Sequence, residues 1–255
     1  MHRHHIAGEA GAGNRRRQLA VAAYMKVDIW SDIACPWCYI GKRRFESALA
    51  EFPHRDEVEV VWHSYQLDPN LPEHYDGTEA EYLSTRKGLP AAQLRQMFEH
   101  VTEQAAGEGL SYDFDALVVA NSLRAHQLLH LAKESGAANE VKEALLSAHF
   151  EKGTNIGDAD ELVQIGVGAG LDEAEIRAEL TSGSRIPAVN ADICEAAALG
   201  IQAVPTFVLD MKFAVSGAQP SEVFASALDQ AWTAAHPVLQ SLAEGDACGP
   251  DGCAI

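Results

Sequence analysis

Four residues early in the chain, Cys35-Pro36-Trp37-Cys38, have the types and spacing for thiol–disulfide exchange. They follow a short apolar stretch, Val27-Asp28-Ile29-Trp30, and open a segment with helical periodicity. At such a strand-to-helix junction the first sulfur meets unpaired backbone N–H groups and the positive end of the helix macrodipole. That position predicts a lowered pKa for Cys35 and a thiolate near neutral pH. The second sulfur, one helical turn on, stands where it can resolve a mixed disulfide. Pro36 suits the first helical position, where its missing N–H loses no hydrogen bond. Cys-x-x-Cys also serves zinc knuckles, but a zinc ribbon needs a second close pair in a small, loop-rich module. Here the pair is embedded in a large α/β chain, so the redox reading leads and no metal site is expected.

A second pair, Cys248-Gly249-Pro250-Asp251-Gly252-Cys253, holds four turn-forming residues between its sulfurs. It reads as an accessory redox pair, as an inert tail, or as half of a zinc site shared with Cys35 and Cys38, with the redox pair favoured. From Ala235 to Cys248 there are 13 residues. At no more than about 3.3–3.6 Å each, they reach roughly 40 Å, about a domain diameter. Cys194, among alanines and Ile193, reads as a buried small hydrophobe. Asp32 reads as a turn or cap residue, or as a proton acceptor for Cys38, with the first favoured. His126 and His130 share one helical face, and Asn121 falls off it. The two histidines could line a cleft, although satisfied core or surface positions are favoured. No His-Glu-x-x-His, phosphate loop or Ser/His/Asp constellation is present, and no cofactor is expected.

These residues need elements to position them. Lys26 to Ser31 reads as a strand, Pro36 to Phe52 as a helix stopped by Pro53, and Val58 to His63 as a second strand. This strand–helix–strand unit implies parallel pairing. From about Glu79 to Leu180 the pattern is helical, with room for about five helices. Breaks fall at Gly88-Leu89-Pro90, Gly107-Glu108-Gly109, Ser135-Gly136, Gly153-Thr154 and Gly168 to Asp172, the last a candidate N-cap. A short helix (Ala188 to Leu199), a strand (Thr206 to Leu209), a turn at Asp210-Met211, a strand (Lys212 to Ser216) and a helix (Pro220 to Ala235) follow.

The bulk composition sets outer limits. The chain has 255 residues and 47% hydrophobic composition, enough to bury one or two cores. No run of about 18 apolar residues occurs, so no membrane span is expected. The formal charge of -18 opposes binding to nucleic acid or an anionic membrane. Residues 1–24 differ, with four arginines and one acid. Arg15-Arg16-Arg17 hints at a signal, but the apolar stretch from Leu19 to Ala23 is shorter than the roughly 7–15 residues of an h-region. The segment reads as a disordered extension. Five cysteines are few for a secreted scaffold and do not pair evenly, so a reducing cytoplasm is expected.

The chain resembles the DsbA-like branch of the thioredoxin superfamily, in particular its FrnE-like members. The matching residues are Ser31 to Cys38 with Gly41-Lys42-Arg43-Arg44, then Gln66 to Pro72, Asn121-Ser122, and Ala125-His126. Further matches are Gly200-Ile201-Gln202-Ala203-Val204-Pro205-Thr206-Phe207-Val208 and Phe213 to Pro220. The resemblance runs from about Met25 to Trp232. It implies a thioredoxin fold (α/β) interrupted by an all-helical insertion domain. The thioredoxin-like part is then 25–75 with 186–236, the insertion 76–185, and the stretch 237–255 a flexible tail. It also implies a cis peptide at Val204-Pro205, facing the cysteine pair and leaving backbone groups free for an extended substrate. FrnE-like proteins can carry a second pair spaced as Cys248 and Cys253 are. The implied activity is exchange with protein or peptide thiols and disulfides, with a reducing partner protein in reserve. DsbA itself has histidine where Trp37 stands. Trp37 offers no cation, so a weaker oxidant is implied. The competing reading is a glutathione-dependent isomerase or transferase of the 2-hydroxychromene-2-carboxylate isomerase or kappa class. Those relatives share the fold but typically place serine at the Cys35 position and lack the Cys38 partner.

Overall fold

The computed structural model describes residues 24–73 and 75–237. The N-terminal stretch 1–23 and the tail pair Cys248 and Cys253 lie outside the described residues. Strand β1 (Met25–Ser31), helix α1 (Pro36–Glu51) and strand β2 (Val58–Ser64) form the expected unit, and β1 and β2 pair in parallel with Met25 opposite Val58. Strands β3 (Thr206–Leu209) and β4 (Phe213–Ser216) complete a four-stranded sheet in the order β2-β1-β3-β4. Both added pairings are antiparallel. The β3–β4 turn places Asp210 and Met211 at φ of 48° and 54°. Two successive positive φ angles match the right-handed twist of the flanking strands.

One core fills the space between this sheet, α1 and the last helix, α9 (Ser221–Ala235). Its centre is Phe45, Phe207 and Phe224, with ring centroids 4.6–5.8 Å apart in tilted and edge arrangements. β1 is buried along nearly its whole length because elements cover both of its faces.

Between β2 and the cross-over helix α8 (Ile186–Ala198) lie six helices, one more than the periodicity predicts. They are α2 (Glu79–Lys87), α3 (Ala91–Gly107), α4 (Leu123–Glu134), α5 (Ala138–Lys152), α6 (Ala159–Gly168) and α7 (Glu173–Ser182). The five glycine-centred breaks separate six segments, and the short α2 is a helix in its own right. Thr78 and Glu81 close a capping box at its start, and Gly88 ends it at φ 65°. Asp172 caps α7 as expected, accepting from the Glu175 N–H.

The insertion has its own core, in which Val141 and Leu145 of α5 and Leu128 of α4 pack with Ile33 from the loop before Cys35. The insertion therefore packs directly against the β1–α1 loop.

Cys194 is exposed, not buried. Helix α8 turns Val189, Asp192 and Ala196 inward, and Cys194 falls on the opposite face. The inward Asp192 organises a charge network that periodicity does not announce. Its carboxylate accepts from the Ser64 N–H at 2.7 Å, lies 3.0 Å from His63 Nδ1 and 3.0 Å from His130 Nε2, and takes Lys133 Nζ at 3.2 Å. His63 Nε2 is 2.7 Å from Asp28, and its ring stacks on Trp30 at 4.3 Å. His63, Asp192 and Glu195 come close enough together for a metal ion. Both His63 nitrogens are already bonded to carboxylates and an ammonium sits on Asp192, so the group is an ion network.

Candidate active site

Cys35 occupies the N-cap of α1 with extended backbone (φ -103°, ψ 113°), and Pro36 takes the first helical position. The Cys38 N–H donates to the Cys35 carbonyl at 3.0 Å, which closes the first turn and brings the two side chains to one side. Both residues are buried, Cys35 at 4% and Cys38 at 1% exposure.

Val204-Pro205 is cis, and it lies against the pair. The Cys35 thiol donates to the Val204 carbonyl at 3.6 Å. The Pro205 carbonyl accepts from the Gly217 N–H at 2.8 Å. Gly41, one helical turn after Trp37, allows the contact: a Cβ there would stand 2.8 Å from the Pro205 ring, closer than packed atoms come.

The two cysteines titrate as a pair. The Cys38 sulfur and burial both push Cys35 well above the usual thiol value. Burial also opposes ionisation of Cys38, but the Cys35 thiol, the charge of Lys142 and the Ser31 hydroxyl together draw it below that value. The ionisation belongs to the pair, in which Cys35 holds its proton more tightly than Cys38. This corrects the expectation of a lowered Cys35 pKa. That expectation counted the helix terminus and left out the neighbouring sulfur and the cover that Trp30, Ala196, Val204 and Val208 give the pair.

Asp32 takes the structural role that the sequence favours. Its carboxylate accepts from the N–H of Ala34 (3.3 Å) and of Leu67 (2.8 Å) and lies 3.2 Å from His126 Nε2. Burial alone would raise its pKa, but His126 and these donors hold it below the usual carboxylate range. A carboxylate so occupied is a poor base for Cys38. His126 is buried, with its pKa lowered by desolvation. His130 is buried on Asp192. Neither histidine lines the cleft. Asn121 instead ties loops together, donating to the Leu71 carbonyl at 2.6 Å and accepting from Gln66 at 3.0 Å.

Beside the motif, a cavity of about 410 Å³ opens between the sheet domain and the insertion. Pro36 and Trp37 form one wall and Phe98, Val101 and Phe114 another, with Asp68, Arg86 and Glu79 at its polar edge. Burial lifts Glu79 to about 7. Trp37 approaches His100 of α3 at 5.9 Å between ring centroids. The Tyr112 hydroxyl donates to the Pro36 carbonyl at 2.7 Å and fixes the loop after α3 against the motif.

The family model described as a DSBA-like thioredoxin domain matches residues 26–229. A crystal structure of a probable DsbA oxidoreductase from Streptomyces coelicolor is 45% identical to this chain. It superposes with a TM-score of 0.80, covering 91% of this chain and 99% of that one. An uncharacterized Bacillus subtilis protein, YwbO, is 26% identical over 204 residues, or 79% of this chain and 94% of its own length. A 2-hydroxychromene-2-carboxylate isomerase structure shares the fold at 14% identity and a TM-score of 0.60, covering 82% of this chain and 97% of that one.

Proposed function

This chain belongs to the DSBA-like thioredoxin domain family and is a thiol–disulfide oxidoreductase; we propose that it exchanges disulfides with protein or peptide clients through Cys35 and Cys38, in the manner of the FrnE-like branch. The observation that supports this most is the pair itself: two buried thiols in one helical turn, with the Val204 carbonyl on the first sulfur. Cys35, at the helix N-cap, attacks a client disulfide as a thiolate, and its proton passes to the client sulfur that departs. Cys38 then attacks Cys35, and the client leaves reduced. In the opposite direction the same steps oxidise a client dithiol. The cleft beside Trp37 receives apolar client side chains, and the backbone at Val204 pairs with the client chain. A cytoplasmic setting accords with five cysteines that do not pair evenly.

The glutathione-dependent isomerase or transferase is the second reading, because such an isomerase shares the fold. The sulfur at Cys35 and its partner Cys38 favour exchange. Purified protein is expected to reduce insulin disulfides with dithiothreitol as electron donor, faster than it conjugates glutathione to an electrophile or isomerises a chromene carboxylate. The reverse order of rates would put the isomerase reading first.

The tail pair is proposed as a relay that exchanges disulfides with the Cys35–Cys38 centre. Replacing Cys248 and Cys253 by serine together is then expected to lower turnover while leaving Cys35 alkylation unchanged. Wild-type turnover, with no tail-to-site mixed disulfide in mass spectra of partly oxidised protein, would leave the tail inert.

A further inference from the structure

Among the described residues, one buried cation lacks a hydrogen-bond partner. Lys142 of α5 is 0% exposed, and its Nζ bonds to nothing among the described residues. Its ring contact is the face of Trp62, 5.5 Å from the centroid. An ammonium taken out of water without a partner is costly, and such groups persist where a charge partner exists in some state of the protein.

The contacts around Lys142 fix α5 against α1 and against the loop that precedes Cys35. The next residue, Glu143, clamps α5 onto the second turn of α1: it accepts from the Tyr39 hydroxyl at 2.5 Å, takes Lys42 Nζ at 2.7 Å and pairs with Arg43. Tyr39 directly follows Cys38. Asn139, one turn earlier on α5, accepts from Trp62 Nε1 at 3.3 Å. Val141 and Leu145 pack with Ile33, two residues before Cys35.

The charged and titratable groups that face the ammonium are Cys38 and Cys35, Asp32 of the preceding loop, Lys42 of α1 and His126 of α4. Lys42 is neutralised by Glu46 and Glu143. Asp32 is spent on His126 and two backbone N–H groups. The groups left without another cation are the two sulfurs, and once Cys35 is joined to a client only Cys38 can carry charge.

Resting on the oxidoreductase reading, we propose that Lys142 is the buried counter-ion of the Cys38 thiolate and sustains it through the resolving step. With Cys35 joined to a client sulfur, Cys38 no longer receives a hydrogen bond from the Cys35 thiol. Lys142 is then the one cation among the described residues that keeps it ionised against burial, beside the Ser31 hydroxyl. The Cys38 thiolate attacks Cys35 Sγ, the Cys35–Cys38 bond forms, and the Cys35–client bond breaks. The client sulfur leaves with the electron pair and takes a proton from solvent. The protein dithiol ends oxidised to a disulfide and the client disulfide reduced. The disulfide carries no charge, so Lys142 loses its partner on oxidation. Burial already draws Lys142 down to about 8 against the pull of the thiols, and losing them draws it further.

Two measurements test this. In a Cys35→Ser background, which removes the Cys35 donor, Lys142→Met should displace the pH profile of Cys38 alkylation upward by at least about one pH unit. Alkylation near neutrality should fall about tenfold. An unmoved profile in a folded double variant overturns the proposal. In unmutated protein, side-chain NMR should show Lys142 titrating at lower pH in the oxidised than in the reduced form. Identical titrations overturn the proposal without any variant. Insulin reduction by the unmutated protein is read separately. If it is absent while the Cys38 profile still moves, the oxidoreductase reading fails and the charge pair stands. If it is present with an unmoved profile, only the Lys142 proposal fails.

Discussion

Cys38→Ser is expected to turn the protein from a catalyst into a trap. Cys35 would still attack a client disulfide, since its carbonyl contact with Val204 and its place at the N-cap do not depend on the second sulfur. With no thiol one turn on, the mixed disulfide has no internal route to resolution. Turnover should fall to the background set by external thiols, and covalent adducts through Cys35 should accumulate in proportion to client disulfide. Cys35→Ser should give neither turnover nor adducts. The two variants are distinguished on non-reducing gels and by mass mapping of the adduct. Adducts that mapped to Cys38 in the Cys35→Ser protein would reverse the assignment of attacking and resolving sulfurs. The tighter hold of Cys35 on its proton does not conflict with this outcome. Exchange needs a thiolate on the attacking sulfur at the moment of attack, and the two sulfurs titrate as one unit.

Local chemistry was legible in the sequence, and long-range electrostatics was not. Cys-Pro-Trp-Cys after an apolar strand announces the redox pair, and each break in the helical pattern matches a helix boundary. Val204-Pro205 came from the resemblance, since an X-Pro bond is cis only about 5–6% of the time in folded proteins. The errors share a cause. Cys194 sits in a helix with small residues on several faces, so periodicity could not say which face turns inward, and Asp192 decided it by reaching His63. The helix-terminus argument for Cys35 is local, whereas the burial that opposes it comes from Val204, Val208 and Ala196, which enter the chain more than 150 residues later. Lys142 and Asp192 read as ordinary charged positions on helices. Their partners stand 104 and 129 positions away, on Cys38 and His63. A lysine directly before a glutamate on a helix carries no local signal that one is buried under the active site and the other clamps α1.

Asp192→Asn is expected to be the most destabilising single polar substitution in the sheet domain. The carboxylate is the common acceptor for His63, His130, Lys133 and the Ser64 N–H, and its side chain is 12% exposed. Amide replacement keeps the shape and removes the charge, leaving Lys133 without its carboxylate partner and placing amide hydrogens where acceptors are needed. Losing one partner of a buried ion pair costs about 3 kcal/mol. For a domain of this size that lowers the melting temperature by roughly 6–12 °C. The pH dependence supplies a second readout. Burial would raise Asp192, but His130, His63 and Lys133 hold it far below the usual carboxylate range. Its contribution is therefore complete above the unfolded value of about 3.9 and fades as pH falls below it. Burial would lower His63, but Asp192 and Asp28 raise it above its ordinary value. That contribution is complete below about 6.5 and is lost as pH rises through the raised value. The wild-type network thus stabilises most between about pH 4 and 6.5. In Asp192→Asn the acid-side loss should shrink and the loss above 6.5 should flatten to what Asp28 alone sustains. A variant that melts within about 1 kcal/mol of wild type with both slopes intact would show that the network is a solvated surface cluster. Its removal would then leave Trp30, β2 and the floor of the redox site where they stand.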